Sequence, residues 1–106
     1  MLRVYGTAIA MIRGLRGTIG AIERRDPDLA RQLRRASASV ALNVAEGSYA
    51  RGRSRNALYQ VALASSKEVR ACLDVAEALG YIVSIDAETA SELSRLGGSL
   101  YKLTIG

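Results

Sequence analysis

Four polar side chains, Asn43, Glu46, Ser65 and Glu68, recur at helical spacing inside otherwise apolar segments, and Arg34, Arg35, Arg51, Arg53 and Arg55 lie within or beside the same segments. Two carboxylates raise the question of acid–base chemistry. The arginines raise that of phosphate or carboxylate binding, because the planar guanidinium fork fits both anions. The first option is weak. There is no histidine and only one cysteine, Cys72, so the Ser-His and Cys-His nucleophile pairs and a zinc site of the usual kind are excluded. The expectation is a non-enzyme with no catalytic residue, no metal and no cofactor.

For Asn43, Glu46, Ser65 and Glu68 the favoured reading is structural. Polar side chains inside a core are tolerated when hydrogen-bonded, and such pairing fixes the register of neighbouring elements. Glu68 is expected to face inward and to pair with Arg34 or Arg35; a ligand or partner surface is the alternative. Arg51, Arg53 and Arg55 alternate in a stretch of turn composition, "SYARGRS", either as an ordinary solvated turn or as a cationic rim for phosphates. Nothing in the sequence supplies an aromatic stacking platform unless Tyr49 does, so any nucleic acid would be held by its backbone with little base selectivity.

The charge distribution supports a polyanionic partner. The net charge is +5, and thirteen of the fifteen cations are arginine. Residues 1–55 carry a net +7 and the remainder −2. RNA or DNA is the leading candidate, and a scaffold docking an acidic protein partner, such as a nucleic-acid-processing enzyme, is the second.

These side chains need elements to position them, and spacing and caps define four helices. With hydrophobic residues at 49% and charged residues at 24%, the 106-residue chain has the balance of one folded domain, 1–106. Tyr5, Ala8, Ile12, Leu15, Ile19 and Ile22 follow one helix face over about 2–25. Gly6, Gly14, Gly17 and Gly20 weaken that helix unless a neighbour comes close. Asp26 as N-cap and Pro27 at the first helical position open a second helix over about 27–47, with Leu29, Leu33, Ala36, Val40 and Val44 inward.

Gly47 is either the left-handed residue that ends this helix or a small residue where another backbone packs closely. Ser54 is the expected N-cap of the third helix, about 54–79. Its inward stripe is Leu58, Ala62, Ser65, Val69, Cys72, Ala76 and Leu79, with Ala57, Val61, Ala64, Glu68 and Val75 as a second inward row and Gly80 as the stop. Ser84 or Asp86 caps a last helix, about 85–103, stepping through Ala90, Leu93, Leu96, Leu100 and Leu103.

Short turns between four helices predict an all-α, antiparallel up-down-up-down bundle. Each helix carries apolar residues beyond one stripe, so self-association is expected. The apolar stretch from Ala8 to Ile12 is cut by Arg13 and Arg16, well short of a membrane span or a signal h-region, so neither is expected. A single cysteine rules out an internal disulfide, and a reducing cytoplasm is the simplest compartment.

The run "LRRASASVALNVAEG", then "ARGRS", then "ALASSKEVRACLDVAEALGYI" resembles the family named for proteins encoded in intervening sequences of bacterial 23S rRNA genes. The matching positions are Gln32, Leu33, Arg34, Arg35 and Ala36; Asn43, Val44, Ala45, Glu46 and Gly47; Arg51 or Arg53; Ala64, Ser65 and Glu68; and Leu79, Gly80, Tyr81 and Ile82. They span about residues 29–82. The resemblance implies a left-handed antiparallel four-helix bundle, a ring-shaped homopentamer and an association with nucleic acid. Similar proteins that accompany retroelement reverse transcriptases bind nucleic acid and the polymerase. The chain differs from the family pattern at Leu58 and Tyr59, in a shorter turn after Gly47, and in the glycines of the first helix.

Overall fold

The computed structural model describes residues 3–105. They form four helices and no strand: α1 Arg3–Glu23, α2 Pro27–Tyr49, α3 Gly52–Ala78 and α4 Ala87–Ile105. The molecule measures 42 × 24 × 19 Å, and at about 1.5 Å per residue α3 alone runs nearly the full length. Each helix packs on the next in sequence, and α4 closes on α1. The pairing of α2 with α3 is the most extensive, because only Ala50 and Arg51 separate them.

Local chemistry sets most of the ends. The Asp26 carboxylate accepts from the Leu29 amide at 3.0 Å with Pro27 behind it, so α2 starts where its cap residues require. At the end of α3, Gly80 takes a positive φ of 78°, its amide donates to Glu77 and the Tyr81 amide to Ala76, the paired bonds of a Schellman stop. The Ala90 amide bonds the Asp86 carbonyl, so Asp86 rather than Ser84 precedes the first turn of α4.

Two boundaries differ from the expectation. Gly47 does not end α2: it is helical and buried, and a β-carbon there would collide with the Tyr59 ring. The close-packing alternative is the correct one, with a side chain as the neighbour, and α2 runs on to Tyr49. Ser54 does not cap α3, which begins earlier at Gly52 with Arg51 as an extended N-cap lacking a side-chain cap bond.

The core is aliphatic, with Met11, Leu15, Ile22, Leu33, Val40, Val44, Val69, Leu96 and Leu100 all fully buried. Val4 and Met11 replace Tyr5 and Ile12 at the centre of the α1 face, leaving the latter pair half-buried. Gly14 is the α1 glycine with a packing reason, since a β-carbon there would strike the Thr89 side chain of α4.

The second inward row of α3 is corrected. Ala57, Val61, Ala64, Glu68 and Val75 are exposed, and Tyr59, Ser66 and Leu73, on the opposite flank of the main stripe, are buried in their place. Both flanks lie about 100° from the stripe, and the bulky Tyr59, which fills the space over Gly47, turns its own flank inward. Leu79 is exposed as well.

Candidate nucleic-acid interface

The α2–α3 seam holds part of the polar quartet. Ser39 and Ser65 share a hydroxyl–hydroxyl hydrogen bond of 2.7 Å, and Asn43 Nδ2 donates to the Ser39 carbonyl at 2.8 Å and to its Oγ at 3.1 Å. Buried Ser65 is thus satisfied, and the network locks two helices at one register. Gly47 contributes by admitting Tyr59.

Glu46 and Glu68 do not join this seam; both are exposed. The expected inward Glu68 ion pair is therefore corrected. Arg34 pairs with Glu23 of α1, and Arg35 borders an open recess with Asp28, Arg31, Gln32 and Glu68. The reason is the same rotation of α3 that places Ala64 and Val61 outside. With Glu68 in solvent, its removal from a single chain is expected to cost under about 1 kcal/mol rather than the amount of a desolvated pair.

The five predicted arginines fall into two places. Arg35 and Arg51 are sixteen residues apart, about 24 Å along α2. Around Arg34 and Arg35 the cations meet carboxylates, with Arg31 also on Asp28. Around Arg51, Arg53 and Arg55 the setting is different. All three are exposed, and no acidic residue occupies the first turn of α3. Arg55 is held by the chain itself: its Nε donates to the Gly47 carbonyl at 3.2 Å and to the Ala50 carbonyl at 2.9 Å, capping the end of α2. Among the described residues Arg51 and Arg53 enter no ion pair.

Sequence reasoning missed what lies beside them. A recess next to this arginine group is lined by Arg55, Asn56 and Tyr59 of α3 and by Leu103, Thr104 and Ile105 of α4. A second recess, between α1 and α4, is lined by Arg3, Val4, Thr7, Arg95, Lys102 and Leu103 among others. Among the described residues neither has a carboxylate in its wall, and Leu103 borders both. Charge alone could have flagged Arg3 and Lys102, but their proximity depends on helices at opposite ends of the sequence.

Other titratable groups have quieter roles. Burial, and then the Glu68 charge, push the Cys72 thiol up, so it stays protonated at neutral pH as a small core residue. Tyr81 sits where α3 ends, with the Arg25 guanidinium 5.5 Å from its ring centroid; burial first, and then its hydrogen bond to Asp26, raise its phenol. Among the described residues no group of three or more Cys, Asp or Glu side chains is placed to hold a metal ion, and no helix is long and apolar enough to cross a membrane.

Fold and site together describe a small all-α protein of four helices with an arginine-rich end and a hydrogen-bonded α2–α3 seam. The model of the 23S rRNA-intervening sequence protein family matches residues 2–102, and the chain belongs to that family. The likeness carried in sequence by residues 29–82 thus extends through α1 and most of α4. No curated protein and no solved structure matches the chain.

Proposed function

We propose that the chain is a non-catalytic, oligomeric bundle that binds the phosphate backbone of RNA or DNA, with little base selectivity, through the end formed by Arg51, Arg53 and Arg55. The observation that carries this reading is the exposure of these arginines where, among the described residues, no carboxylate pairs with them. The family's description, which refers to an intervening sequence of 23S rRNA, favours RNA as the first ligand to try. Contacts of Gly47 with Tyr59 and of Ser39 with Ser65 support an antiparallel α2–α3 pair, and by extension an up-down-up-down bundle.

Oligomerisation is supported by the outward row of α3. Ala57, Val61, Ala64, Glu68, Ala71 and Val75 step by four and three, the spacing of a coiled-coil seam, and all are exposed. Val61 is 47% and Val75 45% exposed, and Leu42 on α2 is 62% exposed, more apolar surface than a lone bundle gains by showing. A ring of five would repeat the arginine-rich end around one rim. Glu68 and the arginines near it would then face a neighbouring subunit, and a cytoplasmic location suits such a basic, disulfide-free protein.

The test is fluorescence anisotropy with single-stranded and duplex RNA and DNA at two salt concentrations, alongside the mass in solution. Phosphate binding must weaken steeply with salt. Absence of binding to all four probes would refute the reading in favour of an acidic protein partner, and a monomer at tens of micromolar would refute the assembly.

A further inference from the structure

The recess between α1 and α4 concentrates cations from the two ends of the chain: Arg3 from the first turn of α1, and Arg95 and Lys102 from α4. Like charges held together repel one another unless an anion lies between them. Among the described residues no carboxylate lines this recess. Glu92 holds Arg95 at 3.6 Å, so among the described residues Arg3 and Lys102 are the cations of this recess that no carboxylate answers. Val4 and Leu103 supply the apolar part of the lining and Ser99 a hydroxyl, while the Thr7 hydroxyl donates to the Arg3 carbonyl at 3.4 Å. At about 340 Å³ the recess has room for one phosphate with its sugar. Leu103 also borders the neighbouring recess that contains Arg55, so the two cationic surfaces meet across the last turn of α4.

We propose that the α1–α4 recess is a phosphate site seated by Arg3 and Lys102, and that a single strand bound at Arg51 and Arg53 continues over Leu103 into it. The continuation rests on the function proposed above; the phosphate site does not. The Arg3 guanidinium and the Lys102 ammonium take the phosphate oxygens, the Ser99 hydroxyl adds a neutral hydrogen bond, and the apolar side chains receive the sugar. Contacts of this kind do not read bases, and ribo- and deoxyribo-strands should both be held.

The experiment follows the backbone amides of Thr7 and Ser99 by NMR during titration of the full chain with tripolyphosphate, and separately with 12-nucleotide single strands of RNA and DNA. It compares the parent with Arg3→Ser/Lys102→Ser and with Lys102→Glu. Both altered residues are exposed, and unchanged melting temperatures confirm the fold. The expected result is a shift of both amides with each probe, lost in the variants, with the logarithmic salt slope for the oligonucleotides falling by roughly 1.4 in the double variant. If the strands bind through Arg51 and Arg53 while Thr7 and Ser99 stay unmoved by every probe, the recess is not a phosphate site. If tripolyphosphate moves them but no strand binds, the site stands and the nucleic-acid reading falls. A parent that binds neither probe overturns both.

Discussion

The two ends of α2 carry comparable numbers of arginines and behave differently. At its start, Arg31 lies on Asp28, Arg34 on Glu23, and Arg35 shares a recess with Asp28 and Glu68. At its end, Arg51 and Arg53 meet no carboxylate among the described residues, Arg55 is bound to backbone carbonyls, and Arg3 and Lys102 add charge nearby. A count of basic residues treats the ends alike. What distinguishes them is whether each cation is already answered within the chain, because only an unanswered one gains by meeting phosphate.

The strongest way to break this comparison is to remove charge from one end at a time. Arg51→Ser/Arg53→Ser should weaken single-strand binding by about a hundredfold, since hydrogen bonds to charged groups contribute about 1.5 to 3 kcal/mol each. Arg34→Ser/Arg35→Ser should change it less than about threefold, well under the tenfold that 1.4 kcal/mol represents. Anisotropy titrations at one fixed salt concentration compare them directly. Equal losses would mean that internal pairing does not decide which end binds.

The packing beneath the two ends offers a second contrast. Gly47→Ala would press a methyl group into the buried Tyr59 ring, and it should destabilise the protein by about 1 to 3 kcal/mol on chemical denaturation. Gly17→Ala, in a helix interior with open space around it, should stabilise by roughly 1 kcal/mol. Next in size is Arg55→Ser, expected to cost about 1 kcal/mol because the last carbonyls of α2 lose their donor, while Arg53→Ser costs nearly nothing. If Arg53→Ser proves the more damaging in melting experiments, the division between a capping and a binding arginine is wrong.

How much of this was legible in the sequence follows from the range of each interaction. The Asp26–Pro27 start and the Gly80 stop were readable because a cap involves a few consecutive residues. The main stripe of α3 was readable from its period. Its second row was not, because Ala57, Val61, Ala64, Glu68 and Val75 have the same spacing whether they face the chain's own core or a neighbour, and the deciding contact, Tyr59 over Gly47, joins two helices. Asn43 and Ser65 were rightly placed in a polar seam, whereas Glu46 and Glu68 shared the motif without sharing the seam. The role of Arg55 depended on where α2 ends, and the grouping of Arg3 with Lys102 on which helices adjoin.

The smallest expected effect is the one that most sharpens the contrast between the ends. If carboxylates are what silence the Arg34 end, then Glu23→Gln/Asp28→Asn should create binding there. Glu23 and Arg34 are each half-exposed, and the Arg31–Asp28 pair is still more open to solvent. Exposed pairs of this kind contribute under about 1 kcal/mol, and screening reduces that further, so the fold should survive with little change in melting temperature. Asp28 also sits in the first turn of α2, where its charge favours the helix dipole, but asparagine keeps the side chain's size and the Asp26 cap is untouched. Two freed arginines should raise the salt slope for single strands by about 1.4 at most and tighten binding only severalfold, because the recess that Arg31 shares with Arg35 still holds the Glu68 carboxylate. The same substitutions in an Arg51→Ser/Arg53→Ser background should restore measurable binding from the opposite end. If they restore none while the fold is intact, pairing is not the reason that end is silent, and the geometry of the rim near Arg51 must be what selects it.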